Sequence, residues 1–181
     1  MRRVDLHCYP GTDAWIASQG PYVSALGEYW GQAWVGKAED EVVADVTAAG
    51  VEAVLVAFDI ESLTGAPPCG NDYVAAMRDR HPGTFIQAWG AVDPLKASAA
   101  DEAVFAVREH RVLGFHFHPI MGHFAVDEPA LNPLFETIAG LKVPVMIDVG
   151  TTGMGAGMPG GMGARLEHAR PLSIEIGRAH V

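Results

Sequence analysis

Two kinds of apolar pattern alternate along this chain. Short, nearly continuous apolar runs at 4–8, 51–58, 85–92, 112–118 and 143–149 read as strands, and 51–58 has the composition of a strand buried on both faces. Between the later runs, apolar residues recur at helical spacing, predicting helices over 38–50, 71–80, 98–110 and 129–140. In the first of these Val42, Val43, Val46 and Ala49 form the apolar stripe, acidic residues fill the first turn, and Gly50 is the stop. Asn71 reads as the N-cap of the second, and His81-Pro82-Gly83 closes it. Strict alternation of strand and helix implies a parallel sheet with right-handed crossovers and helices outside. A doubly wound sheet and a (β/α)8 barrel both fit this α/β pattern. Five strands are too few to close an eight-strand barrel, which takes about 250 residues, so the sheet is open or the chain is incomplete.

Some segments break the pattern. Residues 10–37 are rich in Gly and Trp (Trp15, Trp30, Trp34) with little periodicity, which predicts a long loop or lid, although the aromatics equally suit packing. Connections at 59–70 and 119–128 are also long. Segment 150–163 holds seven glycines in fourteen residues. Its stretch 155–160 matches a dinucleotide-binding pattern on paper, but it starts five residues past the strand, contains Pro159 and belongs to no βαβ unit. A mobile strand-to-helix loop at the mouth of a site explains it better.

Composition narrows the class. With 181 residues, 49% of them hydrophobic and 19% charged, the chain can build one core. A formal charge of -10 argues against nucleic-acid or anionic-membrane partners, which recruit clustered Lys and Arg. A small-molecule partner is the expectation, with a homo-oligomer open. Cys8 and Cys69 are too few for a disulfide framework and lack metal-binding spacing, so both read as small buried thiols in a reduced compartment. No 18-residue apolar run and no signal-peptide pattern is present, and the expected location is the cytoplasm.

The chemistry sits at strand ends. On the first strand Asp5, His7 and Tyr9 alternate onto one face; on the fourth, His116 and His118 point the same way; Asp148 ends the fifth. Each has an ordinary reading, as a hydrogen-bonded core histidine or a capping aspartate. Together, Asp5, His7, His116, His118 and Asp148 at three strand ends are hard to explain separately, because each buried charge costs several kcal/mol unless paired or coordinated. Parallel α/β folds hold their sites where strand ends converge. His81, His110, His123 and His168 read as loop or surface residues.

These residues resemble the amidohydrolase-related family that includes aminocarboxymuconate-semialdehyde decarboxylase and γ-resorcylate decarboxylase. The anchors are Val4-Asp-Leu-His-Cys8, Asn71-Asp-Tyr-Val74, His81-Pro-Gly-Thr-Phe85 running to Ala91-Val-Asp-Pro94, and Gly114-Phe-His-Phe-His-Pro119. They continue through Asp127-Glu-Pro129, Pro133-Leu-Phe-Glu136, Val143-Pro-Val-Met-Ile-Asp148, and the Gly-Thr-Thr-Gly loop to Arg170-Pro171. The resemblance implies a metal-dependent hydrolase-type (β/α)8 TIM barrel, here represented by about its first five βα units. It implies one divalent metal ion, zinc or manganese, and decarboxylation or hydrolysis of a small carboxylated substrate.

The family's first-strand metal pair falls on Asp5-x-His7 or on His7-x-Tyr9, and the second register loses one ligand. Its fifth-strand histidine falls on Asp148; a carboxylate there tilts preference from zinc toward manganese or magnesium. The ligand set so implied is Asp5, His7 and Asp148. His116 and His118 take the catalytic and substrate-positioning places, and Tyr9 contacts substrate. A non-catalytic ligand-binding relative, with Tyr9 and Asp148 marking a lost metal centre, is the competing reading.

The family's acid/base histidine and last metal-binding aspartate belong to strands beyond Pro171. Residues 175–181, Glu-Ile-Gly-Arg-Ala-His-Val, can be encoded by a common sequencing-library adapter. The reading is therefore residues 1–174 as the N-terminal part of one barrel domain and 175–181 as a non-native tail, with the fragment itself inactive.

Overall fold

The computed structural model describes residues 2–178, so residues 179–181 of the expected tail lie outside the described residues. Strands β1 (Val4–Cys8), β2 (Glu52–Val56), β3 (Phe85–Trp89), β4 (Phe115–Phe117) and β5 (Val145–Ile147) form where the apolar runs predict them. The helices are α1 (Asp13–Ser18), α2 (Pro21–Trp30), α3 (Glu39–Ala48), α4 (Glu61–Thr64), α5 (Asn71–Arg80), α6 (Ala99–Glu109), α7 (Pro119–Gly122), α8 (Asn132–Leu141) and α9 (Pro171–Arg178). Among the described residues no helix is long and apolar enough to cross a membrane.

Strand order decides between the two architectures. β1, β2 and β3 pair in parallel in that order, and β4 pairs in parallel with β5. A parallel bridge from Gly90 to Phe115 joins the two groups. The amide of Gly90 donates to the Gly114 carbonyl at 2.8 Å and that of His116 to the Gly90 carbonyl at 2.8 Å, extending this seam. Sequential neighbours are thus spatial neighbours throughout, with no point where the order reverses. That is the winding of a (β/α)8 barrel rather than of a doubly wound sheet. The chain forms the first five βα units of such a barrel.

Two core clusters flank the seam. One gathers Leu55, Phe58, Val74, Met77 and Phe85 around β2 and β3; the other gathers Phe115, Phe117, Leu134, Phe135 and Ile138 around β4 and α8. Gly114 lets the clusters close, since a Cβ there would lie 2.6 Å from the Trp89 ring. Burial pushes the Cys8 thiol up to about 11 and the Cys69 thiol to about 12, so both are unreactive packing groups.

Residues 10–37 carry two helices, α1 and α2, rather than one long loop. Pro21 sits at the first helical position of α2, Gly31 caps it in the left-handed region, and Tyr22, Val23 and Leu26 are buried. That spacing is the helical signal that the glycines and tryptophans obscured. Short helices α4 and α7 likewise occupy 59–70 and 119–128.

Asn71 is the first residue of α5, and Gly70 takes the cap position. The Asn71 side chain instead accepts from the Ala91 amide at 2.8 Å and donates to the Ala91 carbonyl at 2.9 Å, tying α5 to the chain just past β3. Asn71→Ala leaves both backbone groups unpaired and is expected to cost about 2 kcal/mol, read by urea denaturation. A loss below about 0.5 kcal/mol would contradict it.

Candidate metal centre

The site is assembled at the C-terminal ends of β1, β4 and β5. β4 and β5 align His116 with Met146 and Phe117 with Ile147, and the Asp148 amide donates to the Phe117 carbonyl at 3.0 Å. This register places the Asp148 carboxylate against both histidines of β4. His116 Nε2 is 3.2 Å from Asp148 Oδ2, His118 Nε2 is 3.6 Å from the same oxygen, and His7 Nδ1 is 4.0 Å from Oδ1. The His7 and His116 rings lie 4.6 Å apart.

Asp5 lies outside this group. Its pairing with Ala53 and that of Cys8 with Leu55 leave three steps on β1 against two on β2, a bulge between Asp5 and Cys8. Strict alternation therefore fails at this point. Asp5 is exposed, and its Oδ1 accepts from the His7 amide at 2.9 Å. Of the sequence-derived ligand set, the structure brings His7 and Asp148 together, adds His116, and leaves Asp5 aside.

One donor atom each from His7, His116 and Asp148 lie within 4.8 Å of one another. Donors about 2.1 Å from a shared ion sit roughly 3 Å apart, so modest side-chain rotation closes the group round a cation. The Nε2 atoms of His7 and His116 are buried with no hydrogen-bond partner; the close His116–Asp148 approach is out of hydrogen-bond alignment. Leaving such atoms unpaired costs about 1–3 kcal/mol each, which a ligand in the site would relieve. The residues therefore fit a divalent cation.

His118 differs from the other two. Its Nδ1 accepts from the Met121 amide at 3.3 Å, so in the neutral ring the proton is on Nε2, which faces Asp148 as a donor. It is placed to orient a carboxylate rather than to ligate. The Tyr9 ring is 4.9 Å from that of His7 and 5.7 Å from that of His116, with Trp15 at 5.1 Å and Phe58 at 6.1 Å on its other sides. Burial, aided by Asp148, raises the Tyr9 hydroxyl far above its ordinary range and keeps it protonated. Trp15 enters the sequence reading only as one aromatic of the loop or lid over 10–37, and Phe58 carries no sequence signal for the site; tertiary convergence brings both to Tyr9.

Electrostatics favour the metal-ready protonation states. Burial opposes ionisation of Asp148, but adjacent His116 and the charges of His118 and His7 outweigh it and hold the carboxyl below its ordinary 3.8. Burial lowers His7 and His118 below 6.5, each with help from His116 and against the pull of Asp148. At neutral pH the carboxylate is charged and these two imidazoles are neutral. Protons then compete with a metal at His7 only when pH falls below 6.5. Manganese affinity is expected to be flat from about pH 8 to 7 and to fall by about tenfold per unit once His7 protonates; calorimetric titration showing equal affinity at pH 7 and 5 would contradict this.

A family model described as Amidohydrolase matches residues 25–175. The chain belongs to the amidohydrolase family. No curated protein matches it. Among solved structures, 5-carboxyvanillate decarboxylase LigW from Sphingomonas paucimobilis is similar with a TM-score of 0.62 at 18% identity, over 81% of this chain and 51% of that one. LigW2 from Novosphingobium aromaticivorans, an aspartate-to-asparagine variant with bound manganese and 3-methoxy-4-hydroxy-5-nitrobenzoic acid, gives a TM-score of 0.62 at 18% identity over 98% of this chain and 56% of that one. This amidohydrolase chain thus spans about half the length of these two structures, and at that identity the likeness is one of fold.

Proposed function

We propose that this chain carries the metal-binding half of an amidohydrolase carboxy-lyase acting on a small, carboxylated aromatic substrate, with the remaining barrel strands encoded beyond residue 174. The observation that supports the reading most is the convergence of one donor atom each from His7, His116 and Asp148 within 4.8 Å, at two imidazoles that each keep a buried Nε2 without a hydrogen bond. His7, His116 and Asp148 would hold the ion. Manganese is the expected metal over zinc, because a carboxylate replaces an imidazole at Asp148 and hard oxygen donors suit manganese. When bound, the metal would supply a Lewis acid that offsets negative charge on a substrate carboxylate or neighbouring oxygen.

The chain's own groups have separable parts. His118, neutral with Nε2–H, would donate to a substrate oxygen or keep Asp148 oriented. Tyr9 is a protonated phenol that can donate a hydrogen bond but cannot serve as a base at neutral pH. With Trp15 and Phe58 it offers an aromatic wall suited to a planar ring. Hydrolysis would use the same ligands to activate water; the aromatic wall favours the carboxy-lyase. The non-catalytic alternative rests on Tyr9, which stands where one register of the family pair has a ligand.

Two measurements test the proposal. Amplification of the genomic locus is expected to give coding sequence running on past codon 174 with a His and an Asp at later strand ends; a stop directly after Val181 would overturn that part. The protein expressed from the locus and loaded with manganese is expected to release carbon dioxide from hydroxylated benzoic or isophthalic acids. Release unaffected by chelation would overturn the metal-dependent assignment, and metal binding without turnover would favour the ligand-binding relative.

A further inference from the structure

Asp148 is followed at once by a long loop whose ends meet, since the Gly150 amide donates to the Ala169 carbonyl at 3.0 Å. Between them lies a stretch with little of its own to hold it. Gly155, Gly157, Gly160, Gly161 and Gly163 all have positive φ, and backbone hydrogen bonds such as Met158 to Gly155 and Gly161 to Met158 run between the loop's own residues. Apart from Pro159, the only large apolar side chains in residues 150–165 are Met154, Met158 and Met162; no Leu, Ile, Val, Phe, Tyr or Trp stands among them. All three pack, partly buried, on the core cluster that holds Leu55, Phe58 and Phe85.

The loop's other outward contacts lie at the rim. Cβ atoms built on Gly153 and Gly157 would lie 3.0 Å from Trp30 and Tyr29, residues of α2 that are 53% and 62% exposed, and one on Gly163 would lie 2.8 Å from the partly exposed His123 ring. Solvent-side contacts of this kind bury little apolar area, so the three thioethers are the main apolar anchors of the loop. They are also within reach of a solvent oxidant. Met154, Met158 and Met162 are partly exposed, whereas Met77 in α5 and Met121 in α7 are 0% and 2% exposed.

We propose that Met154, Met158 and Met162 form an oxidation site through which hydrogen peroxide frees the loop at 150–165. Each thioether sulfur attacks one peroxide oxygen, so that an S–O bond forms as the O–O bond breaks. The proton left on the new sulfoxide oxygen passes to the departing hydroxide, which leaves as water; sulfur is oxidised and peroxide reduced. A sulfoxide is polar and needs water or a hydrogen-bond donor, so the apolar contact each methionine makes with the core cluster is lost. No strand or α-helix within 150–165 holds the loop in place once those contacts go. The two thiols do not compete for the oxidant: burial raises Cys8 to about 11 and Cys69 to about 12, and neither presents a thiolate at neutral pH. The freed segment is the one leading out of the metal centre, since Gly150 lies two residues past Asp148.

Hydrogen exchange of the 181-residue chain before and after graded hydrogen peroxide, with peptide mass spectrometry to locate the added oxygen, tests the site. Met154, Met158 and Met162 are expected to gain oxygen before Met77 and Met121. Residues 150–165 are then expected to lose about fivefold or more in protection while α6 and α8 hold theirs. The combined variant Met154→Leu, Met158→Leu, Met162→Leu keeps apolar bulk without an oxidisable sulfur and is expected to abolish the loss, although the partly exposed Met146 on β5 stays oxidisable. Treating the oxidised parent chain with both methionine sulfoxide reductases is expected to restore protection. Loop thioethers that oxidise no faster than Met77 and Met121, oxidation without loss of loop protection, the same loss in the combined variant, or a loss that the reductases leave in place would each overturn the proposal.

Discussion

Asp148→Ala is expected to lower manganese affinity by at least about 100-fold, or about 2.7 kcal/mol, with far-ultraviolet circular dichroism unchanged. The carboxylate is the anionic member of the His7, His116, Asp148 group, and both β4 histidines approach its Oδ2. Without it, a cation would face imidazoles alone, with no anionic ligand. Asp148→His sharpens the prediction. It exchanges a hard oxygen for a borderline nitrogen, so binding should survive while the ratio of zinc to manganese affinity rises by about tenfold or more. Calorimetric titrations of the two variants check both expectations. Undiminished manganese binding in Asp148→Ala would move the site elsewhere, and an unchanged metal ratio in Asp148→His would remove Asp148 from the coordination sphere.

Phe115→Ala is expected to destabilise the chain by about 3–5 kcal/mol in urea denaturation, among the largest effects of any single truncation. Phe115 is fully buried at the seam, bridged to Gly90 on one side and paired with Val145 on the other. Its removal opens a cavity in the second core cluster at the point where β3 and β4 join. The metal centre should weaken with it, because His116 is the next residue and takes its position from the same seam. A loss under about 1 kcal/mol would mean that the two strand groups are held together by their helices instead.

Much of this was legible from the residues. The five apolar runs became the five strands; buried parallel strands such as β2 and β4 leave a compositional mark that tertiary packing does not erase. The convergence of His7, His116 and Asp148 followed from strand-end placement. Barrel winding was legible through the family resemblance and not from the alternation of strand and helix, which both architectures share; the Gly90–Phe115 bridge bears it out. Two features were hidden for distinct reasons. The exclusion of Asp5 depends on a one-residue bulge, which period-two reasoning cannot detect. The α1–α2 pair was masked by Gly20, Gly27, Gly31 and the tryptophans, whose roles are to end helices and allow close approach.

In the proposed metal centre His7 and His116 would each supply a ring nitrogen to one ion. Pulsed electron paramagnetic resonance of the manganese-loaded chain, with 15N-labelled histidine, reads this directly. Coupling to two imidazole nitrogens is expected, with one lost in His7→Ala, whose partly exposed side chain can be removed without opening the core. A spectrum without imidazole coupling, or one unchanged by His7→Ala, would contradict the account.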